Sequence, residues 1–248
     1  MPLTEIATQA PSSTRWYSHA HAIGQGKRMG SKALRTHVAG VEKLAREAFH
    51  ESVALGFSSV QLRELLQDVC RYHDLGKYVP DFQNYLLGNR QLDPILKQHA
   101  AFGAQVLWQA WQGKAPELAM LGWVLILRHH AHLPNWSELE VWYDAPVNKH
   151  RFLQQCLKLK SQVAAIADDS DCPGLQSLLQ WPDERLLDVI DDWRLQPDIK
   201  HYFLCNYLFS LLIGSDKLDA SDTPAYLRRA IAPDLVARHL SQMEQGAN

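Results

Sequence analysis

The sequence predicts an all-α protein, and three observations carry that expectation. Apolar residues recur at three- and four-residue steps through most of the chain, alternating β patterns are scarce, and Gly and Pro fall where the helical spacing stops. A chain of 248 residues buries a substantial core, and one large domain is the natural expectation. Residues 1–30 hold Pro, Ser and Gly with few periodic apolar positions, so they are read as an irregular arm, with the domain over 31–248.

The helices are justified in turn. Leu34, Val38, Val41, Leu44 and Ala48 share the spacing of one helix face. Ser58 with Gln61 makes a capping box ahead of Leu62, Leu65, Leu66, Val69 and Cys70, and Gly76 and Pro80 mark the stop of that helix. A short helix is expected over 81–87, followed by longer ones over 94–112 and 116–130. Residues 132–147 contain two prolines, Trp136, Trp142 and Tyr143 without a clear period, and are read as a long loop. Helical spacing resumes over 149–167, stops at the DDSDCPG turn, and returns from about Leu175 and Asp183. The last strong helix covers roughly 200–218, with a weaker one over 225–242.

Composition excludes several classes. No uninterrupted apolar run approaches the ~18 residues a membrane helix needs, and the N-terminus lacks the charged and apolar regions of a signal peptide. Four cysteines stand far apart without a CxxC pair, and Cys70 and Cys205 fall in apolar helical stretches as buried free thiols. A cytoplasmic protein is the simplest expectation. The formal net charge of −2 argues against a surface that grips duplex DNA broadly. Local basic clusters remain at Lys27, Arg28, Lys32 and Arg35, and at Arg228 and Arg229.

The most informative feature is the run Tyr72-His73-Asp74-Leu75-Gly76-Lys77. A lone His-Asp pair is common, but here His37, His99, His129, His130 and Asp216 lie at the ends or on the apolar faces of four other expected helices. A single histidine on such a face is more often a hydrogen-bonded core residue than a ligand. Asp216 resists that account, because a buried carboxylate without a cation or donors costs several kcal/mol. Imidazole with carboxylate suits manganese, iron, cobalt, nickel or zinc, and the missing thiolates argue against structural zinc. Seven side chains exceed what one ion accepts while leaving room for water and substrate, so two divalent ions are expected. Asp74 would bridge them at a separation of about 3.5–4 Å and their shared water would be the nucleophile. Manganese, iron, nickel or cobalt are the expected metals, with magnesium as an alternative. Lys77 stands one turn beyond, placed to hold a phosphate or to stabilise a transition state; a solvated surface lysine is the plain alternative.

These residues also carry a family resemblance. The blocks ALRTHVAGVEKLA, YHDLGKYVPDFQNYL, HAAFGAQVL, RHHAHLP and IGSDKLDAS, in that order over residues 34–221, resemble the HD nuclease of type I CRISPR interference, within the HD phosphohydrolase superfamily. The resemblance implies a helical HD bundle with a dinuclear site in its core and endonuclease-type chemistry on single-stranded DNA. It further implies a helicase subunit or fused helicase domain that links the nuclease to the CRISPR effector complex. It assigns His37, His73, Asp74 and Asp216 to one ion and Asp74, His99, His129 and His130 to the other, with Asp74 and Lys77 as the catalytic groups. The chain departs from the family at Ala131-His132, where glycines are frequent, and His132 is read as a substrate contact or simply exposed. It has no GxxxxGK[ST] phosphate loop; GQGKRMG lacks the spacing. The expectation is therefore a stand-alone nuclease subunit or an excised domain. An HD phosphohydrolase acting on a nucleotide or cyclic nucleotide is the competing reading, and a metal-stabilised interaction module a third. Trp136, Trp142 and Tyr143 are candidates for stacking on bases, or for packing their loop onto the core.

Overall fold

The computed structural model describes residues 16–24, 27–53, 55–88, 98–196 and 198–223. Among them the chain is mostly helical. The order is β1 (Tyr17–Gly24), β2 (Lys27–Ala33), α1 (Leu34–Ala48), α2 (Ser59–Tyr72), α3 (Pro80–Leu86), α4 (Ala100–Trp111) and α5 (Pro116–Arg128). Then follow α6 (Trp136–Asp144), α7 (Pro146–Leu159), α8 (Val163–Asp169), α9 (Leu175–Leu178), α10 (Arg185–Leu195) and α11 (Ile199–Ala220). A 3-10 turn over Leu75–Tyr78 joins α2 to α3.

Helices α4 and α5 form the centre, and their sequences explain why. Both are apolar on nearly every side, with Phe102, Trp108, Leu121 and Trp123 fully buried, which is the pattern of a helix surrounded by others. One interior polar pair lies on their shared face: Trp123 Nε1 donates to Gln105 Oε1 at 3.2 Å, while Gln105 Nε2 is buried without a partner among the described residues. Gly103 lets α4 ride over the end of α2, since a Cβ there would meet the carbonyl oxygen of Tyr72. The more amphipathic α1 and α2 pack beside this pair and α11 closes over α1.

Three expectations need correction. Residues 17–33, mostly read as irregular arm, form an antiparallel hairpin with register shifts along β1. Its Tyr17 amide donates to Gln83 Oε1 at 3.0 Å, and Gln83 Nε2 donates back to the Tyr17 carbonyl at 2.9 Å, so a side chain 66 residues away holds the strand. The segment read as a loop over 132–147 contains α6 and the start of α7. Asn135 caps α6 by accepting the amide of Glu138 at 2.9 Å while its Nδ2 donates to Glu138 Oε1. That Asn-x-x-Glu spacing was readable; the crowding of aromatic residues hid the helical period. Finally, the stretch expected to be one helix over 149–167 is two, α7 and α8, separated at 160–162. The helix expected over 225–242, with Arg228 and Arg229, lies outside the described residues, as does most of 94–99. Cys70 is fully buried, whereas Cys205 is half-buried; all four cysteines are free. No helix among the described residues is long and apolar enough to cross a membrane.

Candidate metal centre

Helix ends bring most of the site together. His73 caps the C-terminus of α2, and Asp74 follows in a bridge conformation (φ −103°, ψ 9°) at the head of the 3-10 turn. His99 stands at the N-terminus of α4, His129 caps the C-terminus of α5, and His130 comes next. His37 is different: it projects from the end of the first turn of α1, and α11 supplies Asp216 from its penultimate turn. Gly76 keeps two of these ends close. A Cβ at that position would collide with the carbonyl oxygen of His99, so glycine allows the His-Asp turn to lie against the start of α4.

The seven residues singled out from sequence all converge on Asp74. His37 Nε2 is 3.3 Å from Asp74 Oδ2 and 3.1 Å from Asp216 Oδ1. His73 Nε2 is 3.5 Å from Asp74 Oδ2 and 3.8 Å from Asp216 Oδ1. On the other oxygen, Asp74 Oδ1 lies 3.2 Å from His99 Nε2 and 3.8 Å from His129 Nε2, and His130 Nε2 is 2.9 Å from His99 Nε2. Two groups result, each with its ligand atoms within 4.8 Å of one another: His37, His73 and Asp74 in one, and Asp74, His99, His129 and His130 in the other. Asp216 borders the first group through its contacts with His37 and His73.

The orientation of the imidazoles suits metal ligation. His73 Nδ1 faces the carbonyl of Cys70 and His129 Nδ1 that of Ile126, both at 2.7 Å, while His37 Nδ1 faces Asp219 Oδ2 at 2.6 Å. Donating Nδ1–H outward points each Nε2 at the cluster, where the neutral form of the ring offers its lone pair. His37 Nε2, His73 Nε2, His129 Nε2 and both Asp74 oxygens are buried without an aligned hydrogen-bond partner. Each such atom costs about 1–3 kcal/mol if nothing compensates it. Asp74 Oδ2 is compensated by Lys77 Nζ at 2.7 Å; the other four in one small volume fit a bound cation, and the buried His/Asp group could hold a metal ion.

Electrostatics divide the cluster. Burial opposes charge on His37, but the carboxylates of Asp216 and Asp74 outweigh it and raise its pKa to about 9. Burial likewise favours neutral Asp74, yet Lys77, His73, His37 and His99 hold its carboxyl well below the usual range. Asp216 is held low in the same way, by His37 and His73 against the effect of burial. Around the other oxygen burial dominates: His99 and His129 are lowered, and His130 falls to about 4 with His99 as the second cause. Those three imidazoles are therefore neutral at pH 7.

Lys77 is not a solvated lysine. It is 7% exposed and its Nζ lies 2.7 Å from Asp74 Oδ2. His132 is exposed; its Nε2 lies 3.6 Å from Glu138 Oε2, and its carbonyl accepts from Arg128 Nε at 3.2 Å. The aromatic residues of α6 are packing groups: Trp142 stacks on Trp181 and meets the edge of Trp123, Trp136 meets Trp193, and Tyr143 donates to the carbonyl of Pro182. Sequence reasoning missed two neighbours of the centre. Asp219 sits in the DKLDAS block and its role needed the α1–α11 contact to become visible. His19, on the hairpin, brings its ring to 5.1 Å from that of His37, and no spacing signal could have placed it there. Compared with models of known protein families, with curated proteins and with solved structures, the chain matches none.

Proposed function

We propose that the protein is a metal-dependent phosphodiesterase of the HD type, a nuclease for single-stranded DNA that works with a helicase in type I CRISPR interference. The observation that carries this reading is Asp74, whose two oxygens face two separate sets of imidazole nitrogens. A carboxylate so placed suits a pair of divalent ions, with His37, His73, Asp74 and Asp216 for one and Asp74, His99, His129 and His130 for the other. Manganese, iron, nickel or cobalt match the donor set of imidazole and carboxylate. Bound there, such ions supply the Lewis acidity that makes water nucleophilic near neutral pH and offsets charge on phosphoryl oxygens.

The protein groups have separate tasks in this reading. Asp74 fixes the spacing of the two ligand sets. Lys77, beside Asp74 and largely shielded from water, places a positive charge where a phosphodiester would approach. His99 and His130 form the more accessible wall, and substrate enters from that side. The ordered blocks that resemble the nuclease support the substrate class and the helicase partner. The near-neutral net charge agrees with a protein to which another component delivers DNA.

The test is incubation of the metal-stripped chain with labelled single-stranded DNA, duplex DNA, RNA and nucleotides, adding metals back singly. Single-stranded DNA should be cut with manganese, nickel or cobalt, and duplex much more slowly. Rapid hydrolysis of nucleotides with single-stranded DNA left intact under every metal would replace this reading with a small-molecule phosphohydrolase.

A further inference from the structure

We infer that Asp219, anchored by Lys32 of the hairpin, is a positioning residue that tightens metal binding at His37 and leaves the other ligand set untouched. The inference rests on the metal-centre reading above and adds a residue to it.

The local chemistry of the three fully enclosed histidines leads to Asp219. His73 and His129 cap the C-termini of their helices, where the last carbonyls lack the regular helical partner and Ile126 takes only a long 3.4 Å bond from the His129 amide. Each therefore orients its ring on a carbonyl three residues earlier, Cys70 or Ile126, at 2.7 Å. His37 has no such option, because it lies inside α1, where the carbonyls are engaged by the helix itself. Its Nδ1 needs a partner from another element, and α11 provides Asp219 Oδ2 at 2.6 Å. A carboxylate does more than a carbonyl in this position: it fixes the tautomer and also makes Nε2 a stronger donor.

Asp219 is itself held on every side. Lys32 Nζ lies 2.8 Å from Asp219 Oδ2, 2.5 Å from its carbonyl oxygen and 2.8 Å from Asp222 Oδ1. The second carboxylate oxygen rests against α1 at Gly40, where any Cβ would collide with it. The arrangement runs from hairpin to α11 to α1, and its end point is the Nε2 that faces Asp74 and Asp216. Surface ion pairs of this kind contribute little to stability, but the Lys32 side chain is 14% exposed and that of Asp219 13%, and both converge on one buried imidazole.

The experiment is a calorimetric titration of manganese alone into the full, metal-stripped chain, for wild type, Asp219→Asn, Asp219→Glu and Lys32→Met. Wild type should show two classes of site. Asp219→Asn should weaken the tighter class by about 10–100-fold, the usual effect of losing an outer partner of a ligating histidine, and leave the other class within about twofold. Asp219→Glu should restore part of the loss, and Lys32→Met should give a smaller loss in the same class. The ring 15N shifts report the second readout: Asp219→Asn should move the Nδ1 shift of His37 while those of His73 and His129 stay in place. Unchanged affinity in Asp219→Asn overturns the inference. So does equal weakening of both classes with a lowered melting temperature, because Asp219 would then be a latch for the fold. Wild type that takes up no metal at all would instead remove the metal-centre reading itself.

Discussion

The two sides of Asp74 are built from different materials. On the Oδ2 side, His37 and His73 are fully enclosed and Asp216 adds a second carboxylate, with Asp219 behind His37. On the Oδ1 side the remaining donors are three neutral imidazoles, of which His130 is exposed and His99 half-buried. The second carboxylate favours retention of a cation, whereas neutral imidazoles, with His130 open to solvent, favour exchange and contact with substrate. A symmetrical pair of sites could not separate these two demands. The contrast explains why one residue, Asp74, lies buried between both, and why Lys77 stands beside it as a local counter-charge.

The largest effect should come from removing what the two sides share. Asp74→Ala should lose both ions and lower phosphodiesterase activity by at least about 10³-fold, while circular dichroism shows helical content close to wild type. Substantial remaining activity would end the shared-carboxylate account.

Next come the substitutions that separate the sides. Asp216→Ala and His99→Ala should each cost close to one equivalent of metal, from the tighter class in the first and the weaker class in the second. Metal analysis after exhaustive dialysis distinguishes them, since wild type should retain the tight ion and Asp216→Ala should not. Unchanged stoichiometry in His99→Ala would make His99 a core residue and the centre mononuclear.

Lys77→Met should act on rate rather than on loading. We expect about a 10²–10³-fold fall in kcat with both ions retained, the scale of losing one positioned electrostatic group. If the ions leave with the lysine, Lys77 serves only to hold Asp74 in place. The smallest effect belongs to His132→Ala: activity and metal content should stay within about twofold of wild type, as for most exposed positions remote from buried networks. A steep loss there would extend the accessible side of the centre to the loop after α5.

How far the sequence revealed this arrangement depended on whether a residue was set by local or distant contacts. The helical periods of α1, α2, α4 and α5 were legible because each buries a continuous face, and the positions of His73 and His129 follow from where those faces stop. The convergence of His37 with Asp216 was visible only as two buried polar groups in need of a common cation. The hairpin escaped notice for a physical reason. Apart from Tyr17, Ile23, Arg28 and Met29, its strands are made of His, Ala, Ser, Lys and Gly, residues with little preference for sheet, and it is held by Gln83 and by Asp219, which are 66 and 187 residues away from their hairpin partners. Asp219 stayed hidden within a legible motif because one turn along α11 separates it from Asp216, and spacing alone does not tell a ligand from the residue behind a ligand. Helix α6 was missed although its cap was written plainly, since tryptophans that pack on Trp181 and Trp193 leave no simple apolar stripe.

The chain order of the two sides has a consequence for synthesis. His99 and His130 are 31 positions apart, whereas His37 and Asp219 are separated by 182. Translation proceeds from the N-terminus at about 5–20 residues per second, so Asp74 and every imidazole of the centre leave the ribosome before Asp216 and Asp219. A nascent chain therefore carries the exchangeable side without the retaining one, and the retaining side must wait for a long-range closure that only α11 can make. Under the two-ion reading, hydrolysis begins only when the last described helix has docked.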